Sequence, residues 1–392
     1  MVPENSSPSD GSRLVLLVTN IPTPYRIPLF NEVARLLKEH GFLLKVVFGA
    51  WGYARRKWQI DADAFEFDYE ILPSRRFYIG KNESVSLTYG GLFGVLRRER
   101  PMVTIITGYS LGTVKLWLRN LAVRTPYVIW SGAIETEGGR LSALRILQRR
   151  LLIRSAVGFL AYGSRAKRYL ERLGAERDRI AVAINTVDTA FYRDRAVERR
   201  AGPDSSSGNT LLCLGDLSAR KRVHLALRAV KHLSSLRQDF LLRVVGDGAE
   251  RAALEGLARD LEISHLVQFD GYKQKDEVAD VLASTRCLLF PTAFDIWGLV
   301  MVEAMAAGVP CIASVEAGAT EDLIEDGVTG FAMDFSDVAA VAEKIAWLFD
   351  HPGDAHKMGG AASAFIRDNA SVRRSAGGFL KAVKSVTAAQ SI

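Results

Sequence analysis

The amino-acid sequence predicts an α/β protein made of two parallel-sheet units. Apolar runs such as Leu14-Val15-Leu16-Leu17-Val18 and Leu211-Leu212-Cys213-Leu214 recur with helix-length segments between them. Such runs belong to strands that crossover helices bury on both faces. The alternation begins twice, at Leu14 and again at Thr210 after a polar stretch, and 392 residues suffice for two separate cores.

Composition narrows the class. Hydrophobic residues make up 48% and charged residues 24%, as in a soluble globular protein. No apolar run approaches the roughly 18 residues that span a bilayer. Residues 1–12 are polar, rich in Ser and Pro and without the apolar core of a signal peptide, so a disordered tail is expected there. Cys213, Cys287 and Cys311 lie in apolar runs without metal-ligand spacing and read as reduced core residues. The expectation is a cytoplasmic protein. Residues 1–200 carry 32 basic against 19 acidic residues, a net +13, and residues 201–392 a net −6. No nucleic-acid motif accompanies the basic half, which instead suits an anionic membrane surface or an anionic acceptor.

Taken in order, Leu14–Val18 is a strand. It feeds Thr19–Arg26, where Pro22 and Pro24 forbid regular structure, then a helix from about Pro28 to His40, ended by Gly41, and a strand from Leu43 to Phe48. Ligands are expected on the loops after such strands, which draws notice to Tyr25 and Arg26; the alternative is a helix-entry turn with Arg26 on the surface. Arg55-Arg56-Lys57-Trp58 and Arg75-Arg76-Phe77-Tyr78 pair cations with aromatics in loops, suited to a membrane interface, a glycan or plain solvent. Asp61-Ala62-Asp63 reads as surface. Val103–Gly108 and Tyr127–Gly132 are strands ending in small residues, including Ser131.

Residues 140–154 form a helix with Leu141, Leu144, Leu147, Leu151 and Leu152 on one face. Ile146 and Ile153 fall among Arg145, Arg149, Arg150 and Arg154 on the other. That basic face could dock on anionic lipid, or its isoleucines could pack on a neighbouring helix. Val157–Tyr162 and Ile180–Ile184 are further strands around a helix from Arg165 to Leu173. Residues 193–209 are polar and read as a linker.

The second unit restarts with the strand Thr210–Gly215. Strands follow at Phe240–Val245 and Val267–Tyr272, a helix at Asp337–Asp350 and a last helix over about Ser371–Ala388. Its most informative stretch runs from Phe290 to Ile312. An apolar strand ends at Pro291, a loop carries Asp295, and Gly298 opens a helix that Gly308 and Pro310 stop. The free N–H groups of residues 298–300 and the positive end of the helix dipole make a phosphate cradle. Glu303 lies about one and a half turns in and leans back toward that cradle, where it can accept hydroxyl protons from a sugar. The alternative is an ordinary βαβ turn with Glu303 in solvent.

That stretch resembles the acid-x7-acid segment of retaining glycosyltransferases of family four (glycosyl transferases group 1). Asp295 and Glu303 occupy the two acidic positions and Trp297-Gly298-Leu299 the aromatic-Gly-Leu position. The first acid is usually Glu; Asp is shorter by about 1.5 Å. Gly215-Asp216-Leu217-Ser218-Ala219-Arg220-Lys221-Arg222 resembles the family's Gly-Arg-Leu-x3-Lys-Gly loop, with Lys221 matching and Asp216 in place of an arginine. Gly246-Asp247-Gly248, the loop at Tyr272 and Lys273, Glu316–Glu321 and Gly327–Phe331 complete five ordered motifs over residues 205–365. Asn185-Thr186-Val187-Asp188 resembles the hinge Pro-Asn-Gly-Val-Asp in part. In the N-terminal half the resemblance rests on the sheet pattern and the first loop. None of the six histidines follows the strand at Tyr127, where many relatives carry one.

The resemblance implies a GT-B architecture, two Rossmann-like domains facing across a cleft. Residues 13–192 would form the acceptor-side domain with helix 371–392 packed back on it, and residues 210–370 the nucleotide-sugar domain. It further implies a retaining, metal-independent glycosyltransferase without cofactor, using a nucleoside diphosphate sugar as co-substrate and a lipid-linked saccharide or surface polysaccharide as acceptor. Lys221 with Arg220 or Arg222 would clamp the diphosphate. Gly215, Gly246, Tyr272, Trp297, Gly298 and Leu299 would line the nucleotide, Glu303 hold the ribose and Asp295 the transferred sugar. Tyr25, Arg26 and Ser131, or the pair Glu135 and Glu137, would lie on the acceptor side. The departures at Asp216 and Asp295 and the missing histidine leave a second reading, a donor-binding scaffold without turnover. An epimerase of the same fold would need acids and a histidine that the sequence does not offer.

Overall fold

The computed structural model describes residues 13–52, 60–79, 84–135, 142–202 and 209–390. Residues 1–12, the cluster Arg55-Arg56-Lys57-Trp58, Glu137, the start of the helix at Arg140 and Leu141, and residues 203–208 of the expected linker lie outside it. The chain divides into two compact units. One is built from residues up to Tyr162, Ala166–Ile184 and Val372 onward, the other from Gly163–Arg165 and Asn185–Ser371.

The first unit is organised on a seven-stranded sheet, β1 (Arg13–Thr19), β2 (Phe42–Phe48), β3 (Asp68–Ile71), β6 (Val103–Thr107), β7 (Tyr127–Ser131), β8 (Gly158–Ala161) and β9 (Ile180–Val182). A separate antiparallel ribbon joins β4 (Arg76–Ile79) and β5 (Ser84–Leu87). The sheet order is β3-β2-β1-β6-β7-β8-β9 and every pairing is parallel. Because parallel strands need crossovers, both faces are covered and β1 is buried from Val15 to Thr19. The helix Val372–Gln390 supplies Ala376, Phe379, Ala382, Val383 and Val386 to this core, and the Phe379 ring meets Trp130 edge-on at 4.9 Å.

The second unit has β10 (Thr210–Leu214), β11 (Leu241–Val245), β12 (Val267–Gly271), β13 (Cys287–Phe290), β14 (Cys311–Ser314) and β15 (Gly330–Met333), in the order β12-β11-β10-β13-β14-β15. All its pairings are parallel as well. Cys213, Cys287 and Cys311 are buried free thiols, with burial raising their pKa values.

Two expectations are corrected. Residues 193–201 are not linker but part of a helix, Thr189–Ala201, whose first turn Asp188 caps by accepting the Phe191 N–H at 3.2 Å. Tyr192 and Ala196 anchor it, and Arg195 (2.8 Å) and Arg199 both pair with Asp280. The helix Ala143–Ser155 does not divide into the two faces that its spacing suggested, because its buried side joins Leu152 of the leucine face to Ile153 of the basic one. Leu152 and Ile153 are buried, whereas Leu144, Leu147 and Leu151 of the leucine face are exposed. Asp61 and Asp63 form a local exposed turn in which the Asp63 N–H donates to the Asp61 carboxylate at 3.0 Å.

Candidate functional site

The strand order of the second unit changes direction at β10, which has β11 on one side and β13 on the other. The loops leaving β10 and β13 therefore part at their carboxyl ends, and such a divergence is where α/β sheets take ligands. A pocket opens there, lined by Gly215, Asp216, Leu217, Lys221, Phe290 and Pro291.

Glycines set its walls. Gly246 has φ +137°, and a Cβ on it would lie 1.8 Å from the Gly215 carbonyl oxygen; one on Gly248 would lie 2.3 Å from that of Leu217. The close approach lets the Gly215 N–H donate to Val245 O (2.9 Å) and the Leu217 N–H to Asp247 O (2.9 Å), so the turn after β11 buttresses the loop after β10. Gly246 in turn donates to Gly271 O at 2.8 Å, which brings the turn carrying exposed Tyr272 to the same sheet edge.

The cations come from a 3-10 turn, Ala219–Lys221. Lys221 Nζ lies 2.6 Å from Asp295 Oδ2 and 4.7 Å above the Phe290 ring, and Arg220 Nη1 reaches the same carboxylate oxygen at 3.4 Å. Arg222 is drawn away, pairing with Glu316 at 2.7 Å. Of the two arginines expected to replace the one missing at Asp216, Arg220 is therefore the one that joins Lys221. Asp216 itself stays on the pocket wall.

Asp295 is held from three directions. Its Oδ1 accepts the Trp297 N–H at 3.3 Å, and its carbonyl accepts the Gly318 N–H at 2.9 Å. Burial would raise its pKa, but the charge and hydrogen bond of Lys221 and the charge of Arg220 outweigh it, so the carboxyl sits below its usual range. Gly298 follows with φ +101°, and a Cβ there would strike the Phe290 ring at 2.9 Å. The helix Leu299–Ala306 thus starts against the same aromatic ring that Lys221 covers. Trp297 was expected to line the nucleotide, yet its ring is only 3% exposed and packs inward. Leu299, next along, is half-buried.

Glu303 is half-buried. Burial pushes its carboxyl up to about 7, against a hydrogen bond from Tyr192 and the charge of Lys275. Lys275 sits 3.8 Å over the Phe191 ring and 3.5 Å from Asp188. Tyr192 and Lys275 escaped the sequence reading because each meets Glu303 only through tertiary packing.

In the first unit, Arg26 stacks 4.6 Å over Trp130 and donates to the Tyr162 hydroxyl at 2.5 Å and to Thr19 Oγ1 at 3.3 Å. It lies at the carboxyl ends of β1, β7 and β8, with the Tyr25 ring 5.7 Å away. Tyr162, closing a predicted strand, was the available signal for this cluster. Ser131 is 2% exposed and its hydroxyl accepts the Ala133 N–H at 3.1 Å, so it braces the backbone and does not line a surface. Glu135 pairs with Arg172.

Residues 194–365 match the family model described as glycosyl transferases group 1. The putative colanic acid biosynthesis glycosyltransferase WcaL of Escherichia coli K12 is 27% identical over 183 residues, 45% of this chain and 44% of that protein. The N-acetyl-alpha-D-glucosaminyl L-malate synthase of Bacillus anthracis is 31% identical over 167 residues, 42% of this chain and 43% of that protein. The chain thus spans less than half the length of these two curated relatives. Among solved structures, the Anabaena protein HepE in complex with UDP has a TM-score of 0.74 at 16% identity, covering 95% of this chain and 100% of that one. Sucrose-phosphate synthase of Thermosynechococcus elongatus has a TM-score of 0.74 at 16% identity, covering 96% and 100%. At such identity the likeness shows the fold, the GT-B class of two Rossmann-like halves.

Proposed function

We propose, on the premise that residues 194–365 belong to the glycosyl transferases group 1, that this chain is a retaining, metal-independent glycosyltransferase. It would move a sugar from a nucleoside diphosphate sugar to a lipid-linked saccharide or surface polysaccharide. The observation that carries the reading is the convergence of Lys221 and Arg220 beside the Gly298 helix start, at the strand-order reversal. Cations and free N–H groups there neutralise the charge that develops on a departing diphosphate, the role a metal has in other transferases. Glu303 then receives the ribose hydroxyls, and Asp295 faces the transferred sugar once the donor takes over its cations. The UDP in the HepE structure makes a uridine donor the first to try.

The first unit holds the acceptor, and Tyr25 and Arg26 at its sheet edge suit an anionic or saccharide group stacked on aromatics. The setting we favour is cytoplasmic, at a membrane's inner face. Calorimetric titration with UDP tests the donor site. Lys221→Ala is expected to weaken binding by about 1.5–3 kcal/mol, the worth of hydrogen bonds to charged groups, and wild-type affinity in that variant would remove the assignment.

A second reading is favoured by the engagement of both Asp295 oxygens within the protein. A chain that keeps that arrangement binds donor without turning it over and acts as a scaffold. Tight UDP-sugar binding with neither hydrolysis nor transfer to any acceptor would decide for it.

A further inference from the structure

We infer, resting on the glycosyltransferase reading above, that Asn20 of the first unit holds a hydroxyl of a neutral saccharide acceptor and that Tyr89 is the positioning residue that aims it. The strand order of the first sheet reverses at β1, which has β2 on one side and β6 on the other. The loops leaving β1 and β6 therefore part at their carboxyl ends, and ligands of α/β sheets enter at such a divergence. Asn20 is the first residue after β1 and is exposed there.

The surroundings of Asn20 hold it in one orientation. Its backbone is pinned where the Ala50 N–H donates to Asn20 O at 2.9 Å, beside the Gly49 N–H on Thr19 O at 2.8 Å. Its side chain is pinned where the Tyr89 hydroxyl donates to Asn20 Oδ1 at 2.7 Å. Tyr89 is 1% exposed and adopts a φ of +48°, a left-handed conformation rare for a bulky residue. Lys115 Nζ donates to its carbonyl at 2.9 Å. Two glycines make room for its ring, since a Cβ on Gly49 would come within 3.2 Å of it and one on Gly112 within 3.1 Å. Strain that the surroundings over-determine in this way points to function, and here it ends on an exposed side chain.

Chemistry selects the occupant. Oδ1 accepts the tyrosyl O–H, which leaves Nδ2 as the donor, and among the described residues Nδ2 has no hydrogen-bond partner. The bond from Tyr89 polarises the amide and strengthens its N–H groups as donors. A neutral donor of fixed direction suits a hydroxyl oxygen, which it meets without desolvating a charge. An anion is better met by a guanidinium, and that of Arg26, further along the same loop, is engaged by Tyr162 and Thr19. The ligand class is therefore a sugar ring that offers hydroxyls.

Saturation-transfer NMR of the full chain in the presence of UDP tests this, with the methyl glycosides of glucose, galactose, mannose and N-acetylglucosamine as probes. At least one glycoside should bind, and Asn20→Ala should weaken that binding about fivefold, the worth of one hydrogen bond. Tyr89→Phe keeps the buried ring and removes only the hydroxyl, and should weaken binding about threefold. Added to Asn20→Ala, it should cost nothing further, because Tyr89 acts through Asn20; a residue that only supports the fold would not show that dependence. Calorimetric titration with UDP, whose pocket lies in the second unit, should give one affinity for all these proteins and so separates this proposal from the donor reading. A wild type that binds UDP but none of the glycosides, glycoside affinity unchanged in Tyr89→Phe, a further loss in the double variant, or displacement of the glycoside by inorganic phosphate would each overturn the proposal.

Discussion

Asp295 spends both carboxylate oxygens on the protein, Oδ2 on Lys221 and Arg220 and Oδ1 on the Trp297 N–H. On the proposed donor reading, the pair keeps the two cations ordered before a donor arrives and competes with it. Asp295→Asn is therefore expected to tighten UDP binding by about 1 kcal/mol, because the cations lose their internal counter-charge, while turnover falls; calorimetry beside a transfer assay measures both. Weaker binding in that variant would mean that Asp295 positions Lys221 more than it competes with phosphate. Glu303 gives a pH signature. Its carboxyl titrates near 7 in the fold against an ordinary value of 4.5, so folding favours the protonated form. Its contribution to stability is complete below about 4.5 and is lost as pH rises to about 7. If Glu303 holds the ribose as proposed, donor binding has the opposite sign, because the hydroxyls need the carboxylate to accept them, and affinity should rise as pH passes about 7. Tyr192→Phe removes a bond to the charged form and should move that rise to higher pH. A titration series in which wild type and Tyr192→Phe coincide would dismiss the contact.

At the scale of elements, the turns are the most constrained features. Gly246→Ala would place a methyl group on the Gly215 carbonyl at a φ of +137°, and a loss of about 3 kcal/mol is expected in denaturant unfolding. These turns were legible in the sequence because close backbone approach admits only glycine, and the apolar strands because burial on both faces leaves an unbroken run. The helix Ala143–Ser155 was legible only in part. Periodicity set Leu152 with the leucines and Ile153 with the arginines, but the core took both together, a choice that no local pattern records. Thr189–Ala201 was hidden by its own polarity. Buried Thr189, Tyr192 and Ala196 hold it together with Arg195 and Arg199, whose partner Asp280 lies 85 and 81 residues away. In the site, Lys221, Gly298 and Glu303 were visible as a pattern. That Arg220 and not Arg222 joins Lys221 depends on Glu316, 94 residues away.

On the scale of the whole molecule, the two units should answer differently to perturbation. Phe379 packs edge-on against Trp130 in the first unit, so Phe379→Ala should cost that unit about 3–5 kcal/mol. UDP should stabilise the second unit, which carries the pocket. Scanning calorimetry with and without UDP checks this, since a single shared shift for both perturbations would contradict it. The excursion of the chain back to its first unit also has a consequence in time. Residues 185–371 are contiguous apart from a short turn, and can close their core as soon as they leave the ribosome. The first unit, begun earlier, must wait with Trp130 and its neighbours uncovered until Val372–Gln390 emerges. During synthesis, the half made first is the half finished last, and it is the one exposed to chaperones and misassembly for longest.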